Sequence, residues 1–319
     1  MPINFHEQEN IGYVIFDDPE AKVNVLKGVV LERLVNILDE ARGKKHLRAL
    51  VFKSPKPGIF IAGADIHEIE QITEPVDGQT KAKAGQDVMN LIEDFPKPTI
   101  AVINGAALGG GCELALACTY RIATFDDKVR IGLPEVNLGF VPGFGGTYRL
   151  PRLVGLSESL KMILSGKPVD GKKALKIGLV DRLFPQNNLM ASVAQFIEDA
   201  EHDFINRKTL ADKKKKTLNK FLDDTKVGHY IVFEQSKRNV IKLTKGFYPA
   251  PLRAVEVIRQ NFYTDRTAGL SIEAQAFGEL AISNISKNLV KLFYLSEKFR
   301  KLSIDGVGDF PIRPVGRAA

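Results

Sequence analysis

Tryptophan is absent from the 319 residues, cysteine occurs twice and histidine five times. No run approaches the ~20 apolar residues that span a bilayer. Cys112 and Cys118 lie close together with no histidine at metal-ligand spacing, so both read as reduced core thiols and no metal site is expected. The G-x-G-x-x-G fingerprint of dinucleotide folds is missing, as is the G-x-S-x-G elbow of serine hydrolases. Residues 1–16 lack the basic start and apolar centre of a targeting segment, which leaves a cytoplasmic, bacterial protein as the expectation.

What the chain has is apolar content enough for a sizeable core: 44% of its residues are hydrophobic, fitting one large or two modest soluble domains. A formal charge of +7 suits a polyanionic partner. Nucleic acid is one candidate, but basic residues interleaved with aromatics are missing, so it is not the expected one. A nucleotide-bearing cofactor such as coenzyme A meets the same electrostatics. The basic run at 213–216 reads as a solvated face, with a membrane surface, a partner or a phosphate kept open as its contact.

The stretch from Thr99 to Arg152 is the most informative. Residues 99–103 read as a buried strand emptying into the turn dipeptide Asn104-Gly105, and Gly109, Gly110 and Gly111 form a second turn directly before a helix over CELALA. A strand feeding a helix through glycines gathers free N–H groups and the positive end of the helix dipole at one spot, which suits an anionic oxygen. Glu113 stands in that helix among Cys112, Leu114, Ala115, Leu116 and Ala117, so its carboxylate is expected to be buried and needs a reason. Glu135 follows in a Gly/Pro-shaped loop behind a short strand at 129–131. Two carboxylates beside an anion site can hold one water or shuttle one proton, the equipment for acid-base chemistry next to a carbonyl. The bland alternative is a tight packing turn and a solvated glutamate.

Upstream, residues 12–16 and 49–52 read as strands around a helix at 28–41. Residues 59–62 lead through the turn Gly63-Ala64-Asp65 into a helix that Asp65 caps, with His67 on its surface. A polar break at 73–78 precedes a helix at 81–94. Downstream, Pro142-Gly143-Phe144-Gly145-Gly146 is a second backbone-rich turn, followed by helices at 156–165 and 171–177 and a strand at 178–183. From Asn188 the strand signal fades, and helices are expected at 190–200, 221–245, 251–261 and 270–302.

FIAGADI, INGAALGGGCELALACTYRIAT and GLPEVNLGFVPGFGGTYRLPR, in that order, resemble the crotonase (enoyl-CoA hydratase/isomerase) superfamily. KGFYPAPLRAVEVI narrows the resemblance to the N-terminal part of the α chain of the fatty-acid β-oxidation multienzyme (trifunctional) complex. The resemblance implies an α/β fold: a crotonase-like ββα spiral core at 1–187, with two roughly perpendicular sheets, and a C-terminal helical extension at 188–304. Residues 305–319 would then be a linker towards an NAD-binding dehydrogenase domain absent from this sequence.

The activity so implied is hydration of trans-2-enoyl-CoA to 3-hydroxyacyl-CoA, with Glu113 and Glu135 catalytic and the backbone N–H groups of Ala64 and Gly110 as the oxyanion hole. Gly63, Asp65, Lys22, Pro142 and Gly143 are implied substrate contacts, Lys22 belonging to the early loop KVNVL over the coenzyme A pocket. Coenzyme A thioester enters as substrate, and neither a tightly bound cofactor nor an NAD site is implied. A thiolase β chain is the implied partner, and the isolated piece is expected to be a monomer or weak dimer. Two alternatives stand beside this reading: 3-enoyl-CoA isomerisation, and a non-catalytic crotonase-fold scaffold that binds thiolase or RNA.

Overall fold

The computed structural model describes residues 1–204 and 220–300; the basic run at 213–216 and the expected linker at 305–319 lie outside the described residues. The chain opens with an antiparallel hairpin, β1 (Ile3–Gln8) and β2 (Ile11–Phe16), then α1 (Gly28–Gly43). Three strand pairs follow: β3 (Ala49–Lys53) with β4 (Gly58–Ile61), β5 (Thr99–Ile103) with β6 (Gly105–Leu108), and β7 (Tyr120–Thr124) with β8 (Arg130–Gly132). The first pair is followed by α2 (Ile66–Glu70) and α3 (Pro75–Glu93), the second by α4 (Gly110–Ala117). After the third come a 3-10 turn (Glu135–Leu138), α5 (Gly146–Val154), α6 (Leu156–Ser165) and α7 (Gly171–Lys176), and β9 (Arg182–Phe184) closes the sheet. Within each pair one strand joins a six-stranded sheet of order β1-β2-β3-β5-β7-β9 and the other a three-stranded sheet of order β4-β6-β8. Among the described residues the strand pairings beyond the first hairpin are parallel, and one isolated antiparallel bridge joins Ile131 to Val169. This is the ββα spiral that the sequence motifs imply.

Parallel strands covered on both faces read as continuous apolar runs, and β5 (TIAVI) is buried at every position. The corner after it differs from the expected turn. Asn104-Gly105 does not reverse the chain; it passes it directly from one sheet into the other, so residues 105–108 are strand rather than loop. The Asn104 side-chain amide donates to the carbonyls of Ser54 (3.1 Å) and Lys56 (2.9 Å) in the corner of the preceding repeat. A Cβ on Gly105 would collide with the Gly58 backbone, so neighbouring corners stack with no side chain between them.

Beyond the core lie α8 (Leu189–Phe204), α9 (Lys220–Asp224), α10 (Lys226–Thr244), α11 (Pro249–Asn261), α12 (Arg266–Ala281) and α13 (Asn284–Arg300). The single helices expected at 221–245 and 270–302 are each two. Thr225 caps α10 by accepting from Gly228 N–H, and the chain bends again at Ile282-Ser283. Helix α3 starts at Pro75, a favoured first-turn residue, so most of the expected polar break is helix. Gly78 is buried in α3 because it crosses Gly278 of α12; a Cβ on Gly78 would lie 2.8 Å from the Gly278 Cα. The two helices touch backbone to backbone, and apolar residues of α11, α12 and α13 join the main hydrophobic cluster of the spiral. Among the described residues no helix is long and apolar enough to cross a membrane.

Candidate active site

Helix α4 grows out of a glycine turn whose first residue, Gly109, has φ +50°, a region that side-chain-bearing residues rarely adopt. Gly109 donates to the Gly132 carbonyl (2.9 Å), tying the turn to the end of β8 and so to the loop carrying Glu135. All eight residues of α4 are buried, Glu113 among them at 2% exposure. Glu135, in the 3-10 turn, is 7% exposed. A Cβ on Gly109 would lie 3.1 Å from Glu135 Oε1, so the glycine turn passes against this carboxylate as well.

The two glutamates differ in their partners. Glu113 Oε1 accepts the N–H groups of Phe144 and Gly146, both at 2.8 Å. Glu135 Oε2 is buried with no hydrogen-bond partner. Burial pushes the Glu113 carboxyl well above its ordinary range, the nearby charges of Glu135 and Glu273 adding to the effect and the two N–H bonds opposing it. Glu135 is raised to about 8, chiefly by burial and against the pull of its own backbone N–H, with Glu273 again contributing. Burial and the neighbouring carboxylates thus both favour the protonated form in this site.

The N–H groups of Ala64 and Gly110 also come together. Gly63 (φ +123°) accepts the Leu26 N–H at 2.9 Å, and Leu26 and Ala64 form a parallel bridge that fixes the turn after β4. A Cβ on Gly110 would lie 3.3 Å from Ala64 N, and Gly110 opens α4, where an N–H has no intrahelical acceptor. Among the described residues neither amide donates to a backbone acceptor outside its own element.

Of the other expected contacts, Pro142 and Gly143 are buried in the loop before α5, and Lys22 is exposed in the segment before Leu26. The Asp65 carboxylate accepts the His67 N–H at 2.9 Å as the cap of α2, and His67 is exposed and stacks on Tyr294. A groove of about 420 Å³ lined by Lys53, Ser54, Asn104 and Gln186 opens elsewhere, and neither Glu113 nor Glu135 lines it.

Sequence reasoning missed Glu273. It lies on α12, is fully buried, and accepts four bonds: Gly145 N–H (2.6 Å) and Gln86 Nε2 (3.1 Å) on Oε1, Thr147 N–H (2.8 Å) and Thr147 Oγ1 (2.5 Å) on Oε2. The signal was present in the stripe Leu270, Glu273, Phe277, whose helical spacing puts a carboxylate on the apolar face, the argument already applied to Glu113.

The chain matches the enoyl-CoA hydratase/isomerase family over residues 6–238. It is 38% identical over 295 residues to the fatty acid oxidation complex subunit alpha of Vibrio parahaemolyticus, a match covering 92% of this chain and 41% of that protein. The chain thus spans less than half the length of the curated relatives it matches. A solved enoyl-CoA hydratase from Bacillus anthracis superposes with a TM-score of 0.58 at 26% identity, covering 93% of this chain and 97% of its own. The human mitochondrial delta3-delta2-enoyl-CoA isomerase shares the fold, with a TM-score of 0.66 at 21% identity and coverage of 94% and 100%. The chain therefore belongs to the enoyl-CoA hydratase/isomerase family, and its fold is that of the crotonases.

Proposed function

We propose that this chain hydrates trans-2-enoyl-CoA thioesters to 3-hydroxyacyl-CoA. The observation that supports it most is the unequal pair of buried glutamates, one carboxylate oriented by two N–H groups and the other carrying an oxygen with no partner. The thioester carbonyl sits against the N–H groups of Ala64 and Gly110, which take up the negative charge that develops on its oxygen. Each such donor is typically worth ~100-fold to 1000-fold in rate. The N–H bonds hold Glu113 as the anionic partner, so the shared proton rests on Glu135. Water held between them loses its proton to Glu113 as its oxygen bonds to C3, and Glu135 gives its proton to C2. Proton exchange with solvent then resets the pair.

Gly63, Asp65, Pro142 and Gly143 line the substrate's path in this reading, and Lys22 serves the phosphates of coenzyme A. No resident cofactor takes part. The relatives are named as subunits of a fatty acid oxidation complex. We extend to this chain a place in such a complex, in the bacterial cytoplasm, with a thiolase β chain as partner.

Loss of the conjugated enoyl thioester absorbance, followed with crotonyl-CoA and a longer trans-2-enoyl-CoA, tests the reading. Turnover by the wild type, with near-total loss in Glu113→Gln and Glu135→Gln, is the expected outcome. A wild type that binds coenzyme A esters, leaves both substrates untouched and instead converts 3-enoyl-CoA would replace the hydratase by an isomerase, in which one carboxylate moves the proton from C2 to C4.

A further inference from the structure

The loop entering α5 presents four consecutive backbone N–H groups, and they alternate between two carboxylates. Phe144 and Gly146 donate to Glu113, Gly145 and Thr147 to Glu273. Gly146 and Thr147 are also the first residues of α5, where N–H groups need acceptors from outside the helix and the dipole favours anions. The loop is thereby stretched between α4, which belongs to the spiral, and α12, which does not.

We propose that Glu273 is a positioning residue for the reaction, setting the 144–147 backbone so that the Phe144 and Gly146 N–H groups converge on Glu113, and placing a fixed negative charge behind the catalytic pair. The inference rests on the reading of Glu113 as the carboxylate that activates water. Three features carry it. First, every hydrogen bond of Glu273 is one it can accept. Gln86 Nε2 also donates to the Leu270 carbonyl (3.0 Å), which fixes the orientation of its amide. Thr147 Oγ1 accepts from Asn261 Nδ2 (3.0 Å), which leaves its own proton for Glu273. Of these partners only the Thr147 hydroxyl could accept a proton from Glu273, and the three N–H donors favour its anion, opposing the burial that raises its proton affinity.

Second, the anchor is rigid. Helix α12 crosses α3 at the Gly78–Gly278 contact, and α3 carries Gln86. Arg152 of α5 donates to the carbonyls of Asn261 (2.8 Å) and Thr264 (3.1 Å) at the corner between α11 and α12. Third, the loop has no slack: a Cβ on Gly146 would lie 2.9 Å from Glu113 Oε1, and Arg149 pins the Phe144 carbonyl at 3.0 Å.

The charged groups around the catalytic pair are few. On α4, Cys112 is a thiol held well above its usual range by burial, and Arg121 of β7 faces it from beyond. On α5, Arg149 is engaged by Glu93 of α3 at 2.9 Å. On α12, Glu273 faces both glutamates. Its anion favours retention of the proton that the pair shares.

Two variants separate charge from geometry. Glu273→Gln keeps the length and removes the charge; Glu273→Asp keeps the charge but is too short to reach both the Gly145 and Thr147 amides. Both are expected to lower kcat about 10-fold to 100-fold, with KM nearly unchanged, the effect of misplacing a reacting group from a distance. In Glu273→Gln alone, the alkaline limb of the kcat–pH profile moves to lower pH, because the pair releases its proton sooner. Amide exchange at Phe144 and Gly146, which Glu273 does not touch, rises in both variants. That readout needs no turnover, so the hydratase reading can fail while the positioning role stands, and the reverse. Wild-type kcat and wild-type exchange in Glu273→Gln would overturn the proposal, as would parallel losses of kcat and thermal stability with an unmoved alkaline limb. If Glu273→Gln does not fold, Glu273→Asp decides alone: lowered kcat with faster Phe144 and Gly146 exchange supports the role, and wild-type values in both overturn it.

Discussion

Helices α4 and α12 each drive one glutamate into the same loop, yet the two carboxylates are dressed oppositely. Glu273 has two donors on each oxygen, four in all. Glu113 has two donors on one oxygen, and its neighbour Glu135 has an oxygen with none. A carboxylate whose lone pairs are all taken is a piece of architecture. One that keeps lone pairs free inside a buried site pays a standing penalty, and the use that offsets it is a transient partner such as water or substrate.

Removing the reactive pair has the largest expected effect on this contrast. Glu113→Gln and Glu135→Gln should each lower turnover about 1000-fold, within the range for a general acid or base. The isosteric changes should leave the circular dichroism spectrum unaltered. Next is the loop that separates the two environments. Gly146→Ala sets a methyl group against Glu113 Oε1, Leu133 and Pro142, and should cost about 100-fold in kcat and also lower the melting temperature, since the buried loop has no space for it. On the saturated side the effect should appear in stability. Thr147→Val removes the hydroxyl donor to Glu273 and strands Asn261 Nδ2, a loss of about 2 kcal/mol in urea unfolding.

The smallest effect sharpens the comparison most. A carboxyl whose folded pKa is raised binds its proton more tightly folded than unfolded. Its contribution to stability is therefore present at low pH and is lost as pH rises from the unfolded value of 4.5 through about 8. Glu135→Gln escapes this loss and should melt a few degrees above wild type at pH 9, the gap closing towards pH 5. An absent gap at pH 9 would mean that Glu135 is not strained in the folded protein.

Much of the spiral was legible because its strands are buried on both faces and its corners carry glycine and asparagine in short, distinctive runs. The two small-residue turns that bring Ala64 and Gly110 together were legible for the same reason: GAD and GGGCE place small residues where backbone approaches backbone. What escaped has physical causes. Strand β1 (INFHEQ) alternates buried and exposed positions and joins β2 through Glu9-Asn10, both at positive φ, where Asn-Gly would have announced the hairpin. Strand β6 hid behind a dipeptide that ordinarily reverses the chain. Gly78 looked like a break because its partner, Gly278, lies far along the sequence. Glu273 left only the local trace of its place in the stripe Leu270, Glu273, Phe277; its three partners, Gln86, Gly145 and Thr147, lie in two segments far along the sequence, and nothing local points to them.

The bond from Gly145 to Glu273 spans 128 residues, and that span sets an order of events. A chain made or refolded from its N-terminus can assemble the spiral and bring Glu113 beneath the glycine loop while Glu273 is still undocked. Contacts of such separation in sequence form late, since loop closure must precede them. The last helices are thus the final step in arming the site. A refolding experiment should see the spiral's secondary structure return first and turnover only with the docking of α12.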